Sequence, residues 1–142
     1  MALVLADVGA DIWLKGFFNN VWAAGGRNLT LKLFCNDITP ADTDVASTYV
    51  EAVGGGYVSK TLTNGSWVVT VANDPSDALY AEQIYTFTGP LTTNPTVYGY
   101  FVVDADGVLV WPEKFGTSFT PANNGDQIKI TPKFQLSKGT PT

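Results

Sequence analysis

Histidine is missing from this 142-residue chain and cysteine occurs once, at Cys35. A single thiol forms no intramolecular disulfide, and without imidazole or a second thiol the usual zinc sites have no ligand set. Charge is scarce as well: Asp, Glu, Lys and Arg make up 15% of the residues, against about 25% in ordinary soluble domains. The basic residues run singly from Lys15 to Lys138, and the formal net charge is −5. A surface that tracks phosphates has no basis in that pattern, so nucleic acid is not an expected partner. Nowhere do about 18 apolar residues follow one another, so no membrane-spanning helix is expected. The opening stretch Met1 to Ala6 is apolar, but it lacks a basic start and is followed by Asp7 and Asp11. No export signal is expected from it, and the chain reads as soluble and made in a cytoplasm.

What is present is apolar and aromatic. Hydrophobic residues make up 45% of the chain and aromatic residues 13%, enough for a domain of this length to bury a sizeable core without covalent staples. Uncharged Thr, Asn, Ser and Gly take the place that charge occupies on most surfaces. Interface cores share this combination of little charge and many aromatics, which points to a subunit of an assembly.

The period of the apolar residues changes once along the chain. Between Asp7 and Trp22, the residues Ile12, Trp13, Phe17, Phe18, Val21 and Trp22 recur near helical spacing, with Asp7 placed as an N-cap. Gly9 and Gly16 each weaken such a helix by roughly 1 kcal/mol relative to alanine, so it needs packing partners. Residues 1–26 are therefore expected to be an N-terminal helical arm, and residues 27–142 a single β domain.

From Asn28 the period is two. Leu29, Leu31, Leu33 and Cys35 alternate with Thr30, Lys32 and Phe34. The stretch Val45 to Val53 suits a short helical turn or a strand equally. Asn64-Gly65 predicts a hairpin between Tyr57–Thr63 and Ser66–Asn73. Tyr80 to Thr88 reads as one strand. Val97–Asp104 and Val108–Pro112 read as a second hairpin, followed by a polar loop from Gly116 to Gly125. Gln127 to Leu136 alternates most cleanly, and Pro132, which donates no ladder hydrogen bond, places that strand at an edge. About seven strands with frequent turns and little helix predict an all-β fold, an antiparallel β-sandwich of jelly-roll or immunoglobulin-like topology with a short helical arm.

Chemistry-bearing groups are sparse and scattered. Asp104-Ala105-Asp106-Gly107 has the start of a calcium loop, but the twelfth position is Phe115 where that loop needs glutamate, so an Asp-Gly turn is the expected reading. Glu51, Glu82 and Glu113 fall in separate segments, and Ser66 and Ser118 have no histidine to activate them. Cys35 falls on the apolar face of a strand, as a small hydrophobe would. No enzyme activity, metal or cofactor is expected. Tyr98, Tyr100 and Trp111 are predicted to share a face and form an aromatic patch, open to sugar rings or covered by a second layer. Trp13, Phe17, Phe18 and Trp22 either cap the domain's own core or bind a partner.

The chain resembles small virion structural proteins of tailed bacteriophages. The resemblance rests on Leu31 to Pro40 (LKLFCNDITP), Tyr80 to Gln83 (YAEQ), Val97 to Val103 (VYGYFVV), Leu109 to Phe115 (LVWPEKF) and Asn123 to Pro132 (NNGDQIKITP), and it covers most of the chain from Asn28 onward. It implies a non-enzymatic role in the virion: a capsid decoration (cement) protein bound to the major capsid protein or another virion protein. Such proteins often trimerise, so a homo-oligomer is implied. The other role it implies is a tail or fibre component, with carbohydrate or host-receptor binding as one form of that role.

Overall fold

The computed structural model describes residues 14–18, 28–72 and 75–137. The fold is all-β and sandwich-like, and every strand pairing among the described residues is antiparallel. Nine strands occur there: β1 (Leu29–Phe34), β2 (Lys60–Leu62), β3 (Val68–Thr70), β4 (Ser76–Leu79), β5 (Gln83–Thr86), β6 (Val97–Val103), β7 (Leu109–Phe119), β8 (Gln127–Ile130) and β9 (Lys133–Leu136). The stretch Val45 to Val53, whose sequence suited turn or strand, holds both: a 3-10 turn at Ala46–Thr48 and an antiparallel bridge from Glu51 to Phe34. Residues 14–18 are helical, within the expected arm. Trp13 and Trp22 lie outside the described residues.

Two compact units make up the chain. One comprises the described parts of Met1–Arg27, Thr63–Glu82 and Thr131–Thr142, and the other Asn28–Leu62 with Gln83–Ile130. In the larger unit, a four-stranded sheet has the order β2-β1-β6-β7, and β5 pairs with β8. The register sorts its side chains. Leu31 and Leu33 lie opposite Val102 and Tyr100, which in turn lie opposite Trp111 and Glu113, so these residues share one face. Against that face packs Tyr85 of β5, a buried residue whose hydroxyl donates to the Leu31 carbonyl at 2.9 Å and whose ring stacks on Tyr57 with centroids 5.7 Å apart. The opposite face carries the buried cluster Phe34, Tyr49, Phe101 and Val103. Three consecutive glycines, Gly54 to Gly56, all at positive φ, let the loop after β1 run close to Thr88 and Thr92, where any Cβ would collide.

The smaller unit has the sheet order β3-β4-β9. Its core forms where Phe18 of the helical segment meets Trp67 and Phe134, with ring centroids at 4.4 and 5.4 Å. The Phe18 carbonyl accepts from Gly65 N–H at 2.9 Å and the Phe17 carbonyl from the Asn64 side-chain amide at 3.3 Å. The Asn64-Gly65 turn thus holds the end of the helical segment.

Three sequence expectations change here for one reason: the chain switches sheets where a continuous strand or hairpin was expected. Asn64-Gly65 does form a turn, closed by Ser66 N–H donating to the Thr63 carbonyl. It joins no hairpin, because β2 pairs with β1 and β3 pairs with β4. The expected strand Tyr80 to Thr88 starts only at β5, after β4 has ended at Leu79. Gln127 to Leu136 is split at Thr131-Pro132 into β8 and β9, which pair with β5 and β4 respectively. Pro132 is a buried corner, its carbonyl accepting from Tyr80 N–H, since a residue without an N–H suits a break in the ladder as well as it suits an edge. The β6–β7 hairpin forms as expected, but β7 continues to Phe119 through residues expected to be loop.

Candidate binding surface

Two turns of the larger unit come together over the Phe34, Tyr49, Phe101 and Val103 cluster. The first runs from Ala41 through the 3-10 turn. Asp44 organises it: one carboxylate oxygen accepts from Ala41 N–H at 2.8 Å and from the Tyr49 hydroxyl at 2.6 Å. These two donors hold the Asp44 carboxyl below its ordinary range, so it is charged at neutral pH. They also fix the Tyr49 ring, which stacks on Phe101 at 5.3 Å and meets Phe34 at 5.0 Å. Tyr49 itself is held protonated by burial and by the neighbouring Asp44.

The second turn is the β6–β7 connection. Asp104 accepts from the backbone N–H groups of Asp106 and Val108 at 2.9 Å each, and Gly107 takes φ +81°. This is the Asp-Gly turn expected from the sequence, with the Asp104 side chain closing its own backbone.

Between the two turns lies an open depression of about 360 Å³, lined by Asp44, Val45, Ala46, Ser47, Gly107, Val108 and Leu109. Val45 and Val108 remain 58% and 60% exposed, while Ala46 and Leu109 pack down onto the aromatic cluster. The lining is thus aliphatic at Val45, Ala46, Val108 and Leu109, with Asp44 and Ser47 beside them. Around it the two turns carry Asp42, Asp44, Asp104 and Asp106 and no lysine or arginine.

The residues singled out from sequence are placed differently. Phe18 is 1% exposed and packs within its own unit, whereas its neighbour Phe17 is 49% exposed. Tyr100 and Trp111 share a face as expected, but Tyr98 packs on the opposite-face cluster with Phe101 and Val103. The β6–β7 register is irregular at this point, five steps along β7 from Lys114 to Phe119 facing two along β6 from Val97 to Gly99. Tyr100 is 3% exposed; its hydroxyl donates to Glu113 and its phenol is held protonated by burial first and by Glu113 second, with a Trp111 hydrogen bond acting the other way.

Several carboxylates are engaged in local structure. Glu51 accepts from Lys32 at 2.9 Å and from the Tyr57 hydroxyl at 3.0 Å, Asp37 pairs with Lys114 at 2.6 Å, and Asp126 accepts from Ala122 and Asn123 N–H. Cys35 is buried, and burial pushes its thiol up to about 11, away from the thiolate form that reacts. No family model matches the chain, and neither a curated protein nor a solved structure matches it.

Sequence reasoning missed Val45, Val108 and Leu109 as candidate surface residues. The signal available was weak: Val45 begins a stretch of ambiguous period, and Val108 follows a turn in a strand whose alternation assigns it no partner.

Proposed function

We propose that the chain is a non-enzymatic binding protein of a tailed-phage virion, a capsid decoration protein that joins neighbouring shell subunits. The observation that carries the binding part of this reading is the depression between the 3-10 turn and the β6–β7 turn. Two exposed valines sit there beside Ala46 and Leu109, which pack on the aromatic cluster, a surface that gains by being covered. The structural engagement of Glu51, Glu113, Asp37, Asp44 and Asp126 favours a binding role over a catalytic one. The virion part rests on the resemblance quoted above, together with the low charge of the chain. A sugar-stacking platform on Tyr100 is disfavoured, because that ring is covered and its hydroxyl already has a partner.

The test is the resistance of phage shells to heating, with and without the purified chain bound. Raised resistance on binding is the expected result. Shells that neither bind the chain nor change in resistance would reject the decoration role.

A further inference from the structure

The surface around the depression also says something about its occupant, and this inference rests on the binding function proposed above. We propose that the depression receives an apolar side chain of a different protein, one whose flanking positions are lysine or arginine, and that a second copy of this chain is excluded from the same seat by charge.

The floor sets the first requirement. Val45, Ala46, Val108 and Leu109 offer aliphatic surface, and a shallow site of this kind takes up an apolar knob by removing both surfaces from water. The rim sets the second. Asp44 lines the depression, and the two turns that border it also carry Asp42, Asp104 and Asp106, with no cation among the residues of either turn. Asp44 is held ionised by the Tyr49 hydroxyl and Ala41 N–H, and the Asp104 side chain is fixed in position by two backbone donors. Two copies meeting through this surface would set one pair of acidic turns against the other, a like-charge contact that costs affinity. Among the lysines of the described residues, Lys32, Lys114 and Lys133 pair with Glu51, Asp37 and Asp77, Lys60 lies over the Tyr85 ring, and Lys129 lies on β8, outside both turns. A partner with cations beside its apolar contact meets both requirements. Its association would weaken with salt, because exposed charges are screened beyond about 8 Å at physiological ionic strength.

The experiment uses the full chain labelled for amide NMR and three synthetic seven-residue peptides with a central leucine, flanked by lysines, by serines or by glutamates. The expected result is that the lysine-flanked peptide shifts the amides of residues 44–47 and 107–109. It should bind at least tenfold more tightly than the glutamate-flanked one, with the difference shrinking as salt is raised. The exchanges Val45→Ser with Val108→Ser should remove the response, and Asp42→Asn with Asp106→Asn should bring the lysine and serine peptides together. Equal response to all three peptides, or shifts confined to other residues, would overturn the proposal. So would concentration-dependent self-association that shifts the same amides without any peptide.

The shell assay separates this inference from the functional reading. If the unaltered chain protects shells and the Val45→Ser, Val108→Ser chain protects them equally, the docking inference fails while the decoration role stands. If the peptides discriminate as expected but no shell is protected, the decoration role fails and the docking inference stands.

Discussion

Replacing Gly99 by alanine should damage the floor of the candidate surface from beneath. Gly99 lies on β6 opposite Phe34 of β1 and Lys114 of β7. A Cβ built there would come within 2.2 Å of the Glu113 carbonyl oxygen and 2.6 Å of two Phe34 ring atoms. The first contact is with backbone, so relief requires β7 to move. The second is with a ring that is fully buried and wedged against Tyr49, so the ring has no free space to retreat into. Overpacking of a well-filled core typically costs about 1–3 kcal/mol, and with two contacts inside 3 Å the upper part of that range is expected. Gly116, on the neighbouring strand β7, is the matched control, because an added Cβ there meets nothing within 4 Å. Gly116→Ala should be neutral or stabilise by up to about 1 kcal/mol, through the unfolded chain. Urea unfolding followed by tryptophan fluorescence would measure both changes, and amide NMR would report on residues 44–48. The packing reasoning is refuted if Gly99→Ala changes stability by no more than Gly116→Ala does. In a Phe34→Leu background the cost of Gly99→Ala should fall only partly, since the clash with the Glu113 carbonyl remains.

Three further outcomes follow from other parts of the fold. Phe18→Ala should destabilise the chain by about 3–5 kcal/mol, read as a fall in urea midpoint, while Phe17→Ala should stay within about 0.5 kcal/mol; equal effects would mean Phe18 does not pack as described. Tyr57, Tyr85 and Tyr100 have phenols held protonated by burial, and a folded value raised above the unfolded one gives stability that is full below about pH 10 and lost as pH rises through the folded value. Their phenolate absorbance should therefore appear together with unfolding; its appearance near pH 10 in the folded chain would contradict their burial. Asp44 and Asp126 have the reverse shift, so their contribution is full above the ordinary carboxylate range and is lost as pH falls through the lowered folded value. Asp126→Asn should flatten the acid side of a stability profile measured by urea midpoint from pH 7 to 2, and an unchanged profile would reject that role.

Sequence alone determined the fold class and much of the local structure, because those depend on short-range patterning. The period-two alternation of Leu29, Leu31 and Leu33 specifies a strand with one buried face, and that face is buried. Asp104 to Gly107 specifies a tight turn whatever lies around it. Tertiary structure decided which strands pair, and this governed the rest. The alternation from Gln127 to Leu136 is continuous in sequence, yet the chain changes sheets at Pro132, since periodicity records which side chains face inward and not which sheet they face. Tyr98 likewise packs on the Phe101 and Val103 cluster, away from the face of Tyr100 and Trp111, next to an irregularity in the β6–β7 register. The candidate surface was illegible for the same reason. Val45 and Val108 are separated by more than sixty positions, and only the pairing of β1 with β6 and the packing of Tyr49 on Phe101 bring their turns to one depression.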